Sequence, residues 1–153
     1  MPGVRLSWCT ILRMARSLPE GESLLLRTDF TDDAAWAQTL AAVIASYDED
    51  TVTGLTPIDD SAFAGLTLDE LAELIDGQTY VFLADTTTMT DSEHPILAVD
   101  TSDEDTRGGY PVFRMAPSAM AEVEVNLFLA NVDFGDFADN LGDDDRVYRG
   151  VGW

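Results

Sequence analysis

Ser23–Thr28 reads SLLLRT, and Thr31–Ser46 reads TDDAAWAQTLAAVIAS. The first is a short continuous apolar run, the pattern of a buried strand. It breaks at Asp29-Phe30. In the second, Trp36, Leu40, Val43 and Ile44 recur at three- and four-residue spacing, which predicts a helix with that face buried. Thr31 is the expected N-cap. Asp32 and Asp33 then fall in the first turn, where the helix dipole favours anions. A buried strand feeding directly into an amphipathic helix predicts a βαβ opening and a parallel crossover.

Downstream of this unit, Tyr47–Asp50 ends the helix in solvent, and Thr51–Leu66 reads as irregular, with Ala62, Phe63 and Leu66 tucked against the core. Thr67-Leu68-Asp69-Glu70 has the form of a capping box and starts a second helix. Leu68, Leu71, Leu74 and Ile75 form its apolar face, and Gly77 stops it. Tyr80–Ala84 (YVFLA), Ile96–Val99 and Tyr110–Met115 read as strands, separated by the polar loops Thr86–Pro95 and Thr101–Gly109. Pro111 suits an edge or a bulge. Pro117-Ser118 opens a third helix to about Asn131, with Met120, Val123, Leu127, Ala130 and Phe134 on its buried stripe. Phe134 and Phe137 suggest a further helical turn, and Val147–Arg149 a small last strand. The expected class is α/β (mixed α+β): one domain, a mixed sheet of about four to five strands packed with about three helices, in two or three layers.

Charge narrows the partners. The chain has 153 residues, 29 Asp and Glu, eight arginines and no lysine, for a net charge of −21. Between Arg27 and Arg107 lie 79 residues with 19 carboxylates and His94 as the only possible positive charge. Residues 1–76 hold 14 carboxylates and residues 77–153 hold 15, so the acidity is not that of a tail. Nucleic acids and anionic membrane surfaces are poor partners for such a chain, since both are bound through Lys and Arg. Basic proteins and cations remain. Hydrophobic residues make up 46%, enough for a core despite the self-repulsion.

The first 20 residues differ in composition. They hold Arg5, Arg13 and Arg16, the single cysteine Cys9, and one acid, Glu20. Residues 1–20 are expected to be an extension, poorly ordered or a start-site artefact with Met14 as the true start, and residues 21–153 the acidic domain. One cysteine rules out an internal disulfide, and residues 1–13 lack the pattern of a signal peptide. The expected compartment is the cytoplasm.

Three carboxylates follow three expected strands: Asp29, Asp85 and Asp100. Ligands of open α/β sheets bind beyond the carboxyl ends of strands, and convergent carboxylates there could hold Mg²⁺. An antiparallel Ile96–Val99 would place Asp100 at the wrong end. Hydrolases and phosphoryl-transfer proteins of this layout also use a lysine; here Arg27 would have to serve. Asp103-Glu104-Asp105 and Asp143-Asp144-Asp145 lack EF-hand spacing. No cofactor is expected, with Mg²⁺ at the strand ends or Ca²⁺ at loop acids as the open alternatives. His94 has no second histidine or G-x-S-x-G elbow to work with, and the phosphate-binding glycine loops are absent.

Val125–Phe137 (VNLFLANVDFGDF) is the most idiosyncratic stretch. Its apolar density exceeds one helix face, so either the helix is buried on several sides or one flank is free for a partner. Val125, Leu129, Phe134 and Phe137, rimmed by Asp133, Asp136 and Asp139, would then form a site for an apolar and basic protein.

LLLRTDFTDDAAW (residues 24–36) together with FRMAPSAMAEVEVNLFLANVDFGDFA (residues 113–138) resembles an actinobacterial domain family of unknown function. The resemblance covers about residues 20–150 and implies a cytoplasmic bacterial protein. It implies no activity, cofactor or catalytic residue. The leading expectation is a non-catalytic interaction or regulatory module, like an inhibitor or immunity protein, of unknown oligomeric state. A Mg²⁺-dependent phosphoryl-transfer or hydrolytic enzyme is one alternative. The other is a salt-adapted domain whose acids have no specific role.

Overall fold

Apolar residues alternate across the strands so that both faces of one sheet are buried. Leu25, Phe82, Ala84, Ile96, Ala98, Phe113 and Met115 face one side, and Leu24, Leu26, Val81, Leu83 and Val99 the other. The computed structural model describes residues 17–21, 23–48, 54–76, 79–102, 109–129, 132–139, 141 and 146–150. Five strands form the sheet: β1 (Ser23–Arg27), β2 (Leu55–Ile58), β3 (Tyr80–Ala84), β4 (Ile96–Asp100) and β5 (Val112–Met115), in the order β2-β1-β3-β4-β5. β1 lies parallel to both β2 and β3, and β4 and β5 return antiparallel. The protein is a mixed α/β domain.

Helix α1 (Asp33–Ala45) packs on the first face through Ala35, Trp36 and Val43. A short α3 (Thr86–Thr90), α4 (Met120–Phe128) and α5 (Phe134–Ala138) cover the same face. A 3-10 turn at Ser61–Phe63 and helix α2 (Leu68–Leu74) cover the other. The layers are therefore three. Among the described residues there are five helices where three were expected, because Phe134–Ala138 is separate and Thr86–Thr90 is helical.

Several local expectations need correction. Asp32, not Thr31, caps α1, its carboxylate accepting the Ala35 amide at 2.9 Å. Ile44 is 62% exposed, and the completely buried position on α1 is instead Thr39. Thr39 tolerates burial because its hydroxyl donates to the Ala35 carbonyl at 2.8 Å. The segment read as irregular contains β2, whose LTPI composition is weak strand sequence; Pro57 sits there on an edge strand. Thr86–Thr90, read as loop, is a helical turn capped by Asp85. The capping box at Thr67 and Glu70 is present as expected. Val147–Arg149 contributes an isolated parallel bridge from Tyr148 to Met115 in place of a strand. Leu18 packs on the α2-side core; residues 1–16, Gly77 and both acidic triplets of the sequence reading lie outside the described residues.

Leu71 is fully buried and is the buried residue of α2. Leu71→Ala is expected to cost about 2–5 kcal/mol, and Ile44→Ala to stay within about 0.5 kcal/mol of wild type. Urea unfolding with both slopes equal to that of wild type checks the pair.

Candidate functional site

The chain leaving β1 turns towards the α1 face, and the chain leaving β2 turns towards the α2 face. The two loops part over the carboxyl ends of β1 and β2, the place where α/β sheets hold ligands. Arg27 fills that place. Its side chain is 4% exposed. Nη2 donates to Asp33 at 2.7 Å, Nη1 to Asp59 at 3.3 Å, and Nε to the Asp29 carbonyl at 3.0 Å. The guanidinium also lies over the Phe30 ring at 4.4 Å and the Trp36 ring at 5.5 Å. The motif LLLRTDFTDDAAW is therefore one constellation: a buried cation with its aromatic and carboxylate partners.

The three strand-end carboxylates have separate tasks. Asp29 accepts from the Thr31 amide at 2.8 Å and the Thr31 hydroxyl at 2.5 Å. Those Thr31 bonds, helped by the Thr86 hydroxyl and the Arg27 charge, hold its pKa below the ordinary value against the opposing effect of burial. Asp85 receives both Arg114 nitrogens at 2.8 Å, one on each carboxylate oxygen. Burial raises its pKa, but the Arg114 hydrogen bonds and charge, with Thr88, outweigh that and leave it lowered. Thr88 accepts from the Asp85 amide and donates to the Pro95 carbonyl at 2.7 Å, closing the α3 cap. Asp100 pairs in register with Tyr80 at the start of β3, because β4 is antiparallel. It therefore lies at the opposite end of the sheet from Asp85 and binds Ser102. The structure does not bring the three together. Among the described residues no group of three or more His, Cys, Asp or Glu side chains is arranged to hold a metal.

His94 pins α3 to α1. Nδ1 meets the Thr88 carbonyl at 3.0 Å and must donate to it, while Nε2 meets the Gln38 amide at 3.0 Å. The residue has a positive φ of 52°. This is structural work within a loop.

The sequence candidates on α4 and α5 divide. Phe134 and Phe137 are 5% and 1% exposed, so the expectation that they face a partner is corrected. Phe134 stacks on Tyr80 and tilts against Phe113 at 4.9 Å, and Phe137 meets Tyr148 edge-on at 5.0 Å. Val125 is half-buried, Leu129 is 57% exposed, and Asp133 and Asp136 are exposed. Phe128, 54% exposed, was missed. Its signal was its position one residue off the Met120–Val123–Leu127 stripe.

The sequence matches, over residues 22–151, the family described as "Domain of unknown function (DUF6924)". The chain belongs to that family. The matched region encloses every strand and helix above, together with the Tyr148 bridge. No curated protein matches the chain. Among the described residues, no helix is long and apolar enough to cross a membrane.

Asp85 carries a lowered pKa, so the stability it contributes is complete above its ordinary value of 3.8 and is lost as pH falls through the lowered one. Asp85→Asn is expected to cost about 1–3 kcal/mol near neutral pH. It should also flatten the acid limb of the stability curve below about pH 4. Denaturant melts from pH 7 to pH 2 read both effects.

Proposed function

We propose that this protein is a non-catalytic interaction module of a bacterial cytoplasm, acting on a cationic protein partner as inhibitors and immunity proteins do. The observation that carries this reading is the disposition of the arginines. All four that are described are paired with the protein's own acids: Arg27 with Asp33 and Asp59, Arg114 with Asp85, Arg146 with Asp91, and Arg149 with Glu93. Asp33 nevertheless keeps 90% of its side-chain exposure. Among the described residues the arginines are turned inward or tied down, and most carboxylates, Asp29, Asp85 and Glu124 aside, face water. Such a field accelerates encounters with basic surfaces and disfavours acidic ones.

The Mg²⁺-enzyme reading has less support. The carboxylates it needs are engaged by Arg114, Thr31 and Thr88, and Asp100 is at the other end of the sheet. The cytoplasmic placement rests on a single cysteine, as is common in reducing compartments.

Affinity capture with the full chain at about 0.15 M salt, followed by reconstitution from purified components, tests the proposal. The expected result is a basic protein that forms a stoichiometric complex and whose affinity falls as salt rises. A captured set without any such partner, or Mg²⁺-dependent turnover of a phosphate ester lost in Asp85→Asn, would overturn it.

A further inference from the structure

The core-facing side of α4 carries Met120, Val123 and Leu127, with the buried Glu124 beside them holding the Tyr47 hydroxyl at 3.0 Å. At 100° per residue, Phe128, Val125 and Leu129 follow one another around the adjacent flank, away from that core. They stand at i, i+3 and i+4, the spacing of a helical docking ridge. Phe128 and Leu129 are both more than half exposed. The Tyr47–Glu124 bond ties the end of α1 to the buried side of α4, and Ile44, one turn before Tyr47, is 62% exposed. Two of the four large apolar side chains exposed among the described residues thus stand on this one flank.

The surroundings of this ridge are negative in two independent ways. Neither α1 nor α4 has a basic residue in its last turn, so the partial negative charge of each carboxyl terminus is uncompensated from within its own helix. Just beyond α4, Asp133, Asp136 and Asp139 are exposed around α5. A second copy of this chain would set like rims and a net charge of −21 against one another. A partner with apolar residues on one face and arginines or lysines beside them matches both features.

We propose that the Val125–Phe128–Leu129 flank of α4 seats a cationic amphipathic helix of the partner protein, with the aspartates around α5 meeting its basic residues. This rests on the interaction-module reading and adds the surface and the form of the ligand. The apolar ridge supplies the anchor, and the acids supply orientation and rate.

The probe is a synthetic amphipathic helical peptide of leucine and arginine, with a control in which every arginine is glutamine. Both are titrated calorimetrically into the full chain. Wild type is expected to bind the arginine peptide with one-to-one stoichiometry and the glutamine peptide about tenfold or more weaker. Phe128→Ser combined with Leu129→Ser should weaken arginine-peptide binding about tenfold with an unchanged melting temperature. Asp133→Asn combined with Asp139→Asn should reduce its salt dependence, and Asp69→Asn on α2 should do neither. Equal binding by the Phe128/Leu129 variant overturns the assignment of the surface while leaving a cationic partner standing. No binding of the arginine peptide overturns the helical ligand. If basic proteins also fail to bind in reconstitution, the interaction-module reading falls with it. A wild-type dimer in sedimentation that the Phe128/Leu129 variant dissolves would assign the flank to self-association and overturn the proposal.

Discussion

Arg27 is buried at the carboxyl end of the central parallel strands, and a charge held there needs its hydrogen bonds met by protein. The partners that meet them come from three places in the chain. Asp33 opens α1, Asp59 follows β2, and the Asp29 carbonyl lies in the turn between β1 and α1. Edge strand β2 is short and contains a proline, so its own ladder to β1 is a weak hold. The ion pair to Asp59 adds a second one at the strand end. Phe30 and Trp36 shield the guanidinium from water on two sides, which strengthens every bond it makes. The sharp turn from β1 into α1, and with it the position of the whole α1 layer, follows from satisfying one cation.

Much of this architecture is legible where local chemistry is self-sufficient. SLLLRT and YVFLA could be read as strands because continuous apolar runs with β-branched or aromatic content suit a sheet buried on both faces. The Thr67 cap was readable because both halves of the box lie within four residues. β2 and α3 were hidden for the opposite reason. LTPI and TTTMT have little propensity of their own and are held by β1 and by the Asp85 cap. Ile44 and Thr39 show the limit of periodicity: both lie close to the apolar arc, and packing against the 3-10 turn at Pro117–Ala119 and against α3 decided which was covered.

The candidate sites were legible to different depths. Asp29 and Asp85 could be placed at strand ends, but the identity of their partners depends on long-range pairing, as with Arg114 29 residues from Asp85. The direction of β4, which sends Asp100 to the far end, is a matter of topology that no residue near Asp100 announces. On α4 and α5, apolar density showed that something unusual happens after Val125. It could not show that Phe134 and Phe137 would turn inward to Phe113 and Tyr148 while Phe128 and Leu129 stayed out. Position around a helix is visible in sequence; which neighbour arrives to cover it is not.

Tyr148 bridges Met115, exchanges backbone hydrogen bonds with Arg114 and Ala116, donates its hydroxyl to Glu122, and packs on Phe113 and Phe137. The core on the α2 side draws on residues from Leu18 to Tyr110, whereas the core on the α1 side begins at Leu25 and is completed by Tyr148. The two sides therefore become complete at different moments of synthesis. While the segment that carries Tyr148 is still inside the ribosome, the outer edge of β5 and the rings of Phe113 and Phe137 lack their cover. The nascent chain is then more open to edge pairing and to chaperones, and that interval ends only when Tyr148 has emerged and docked.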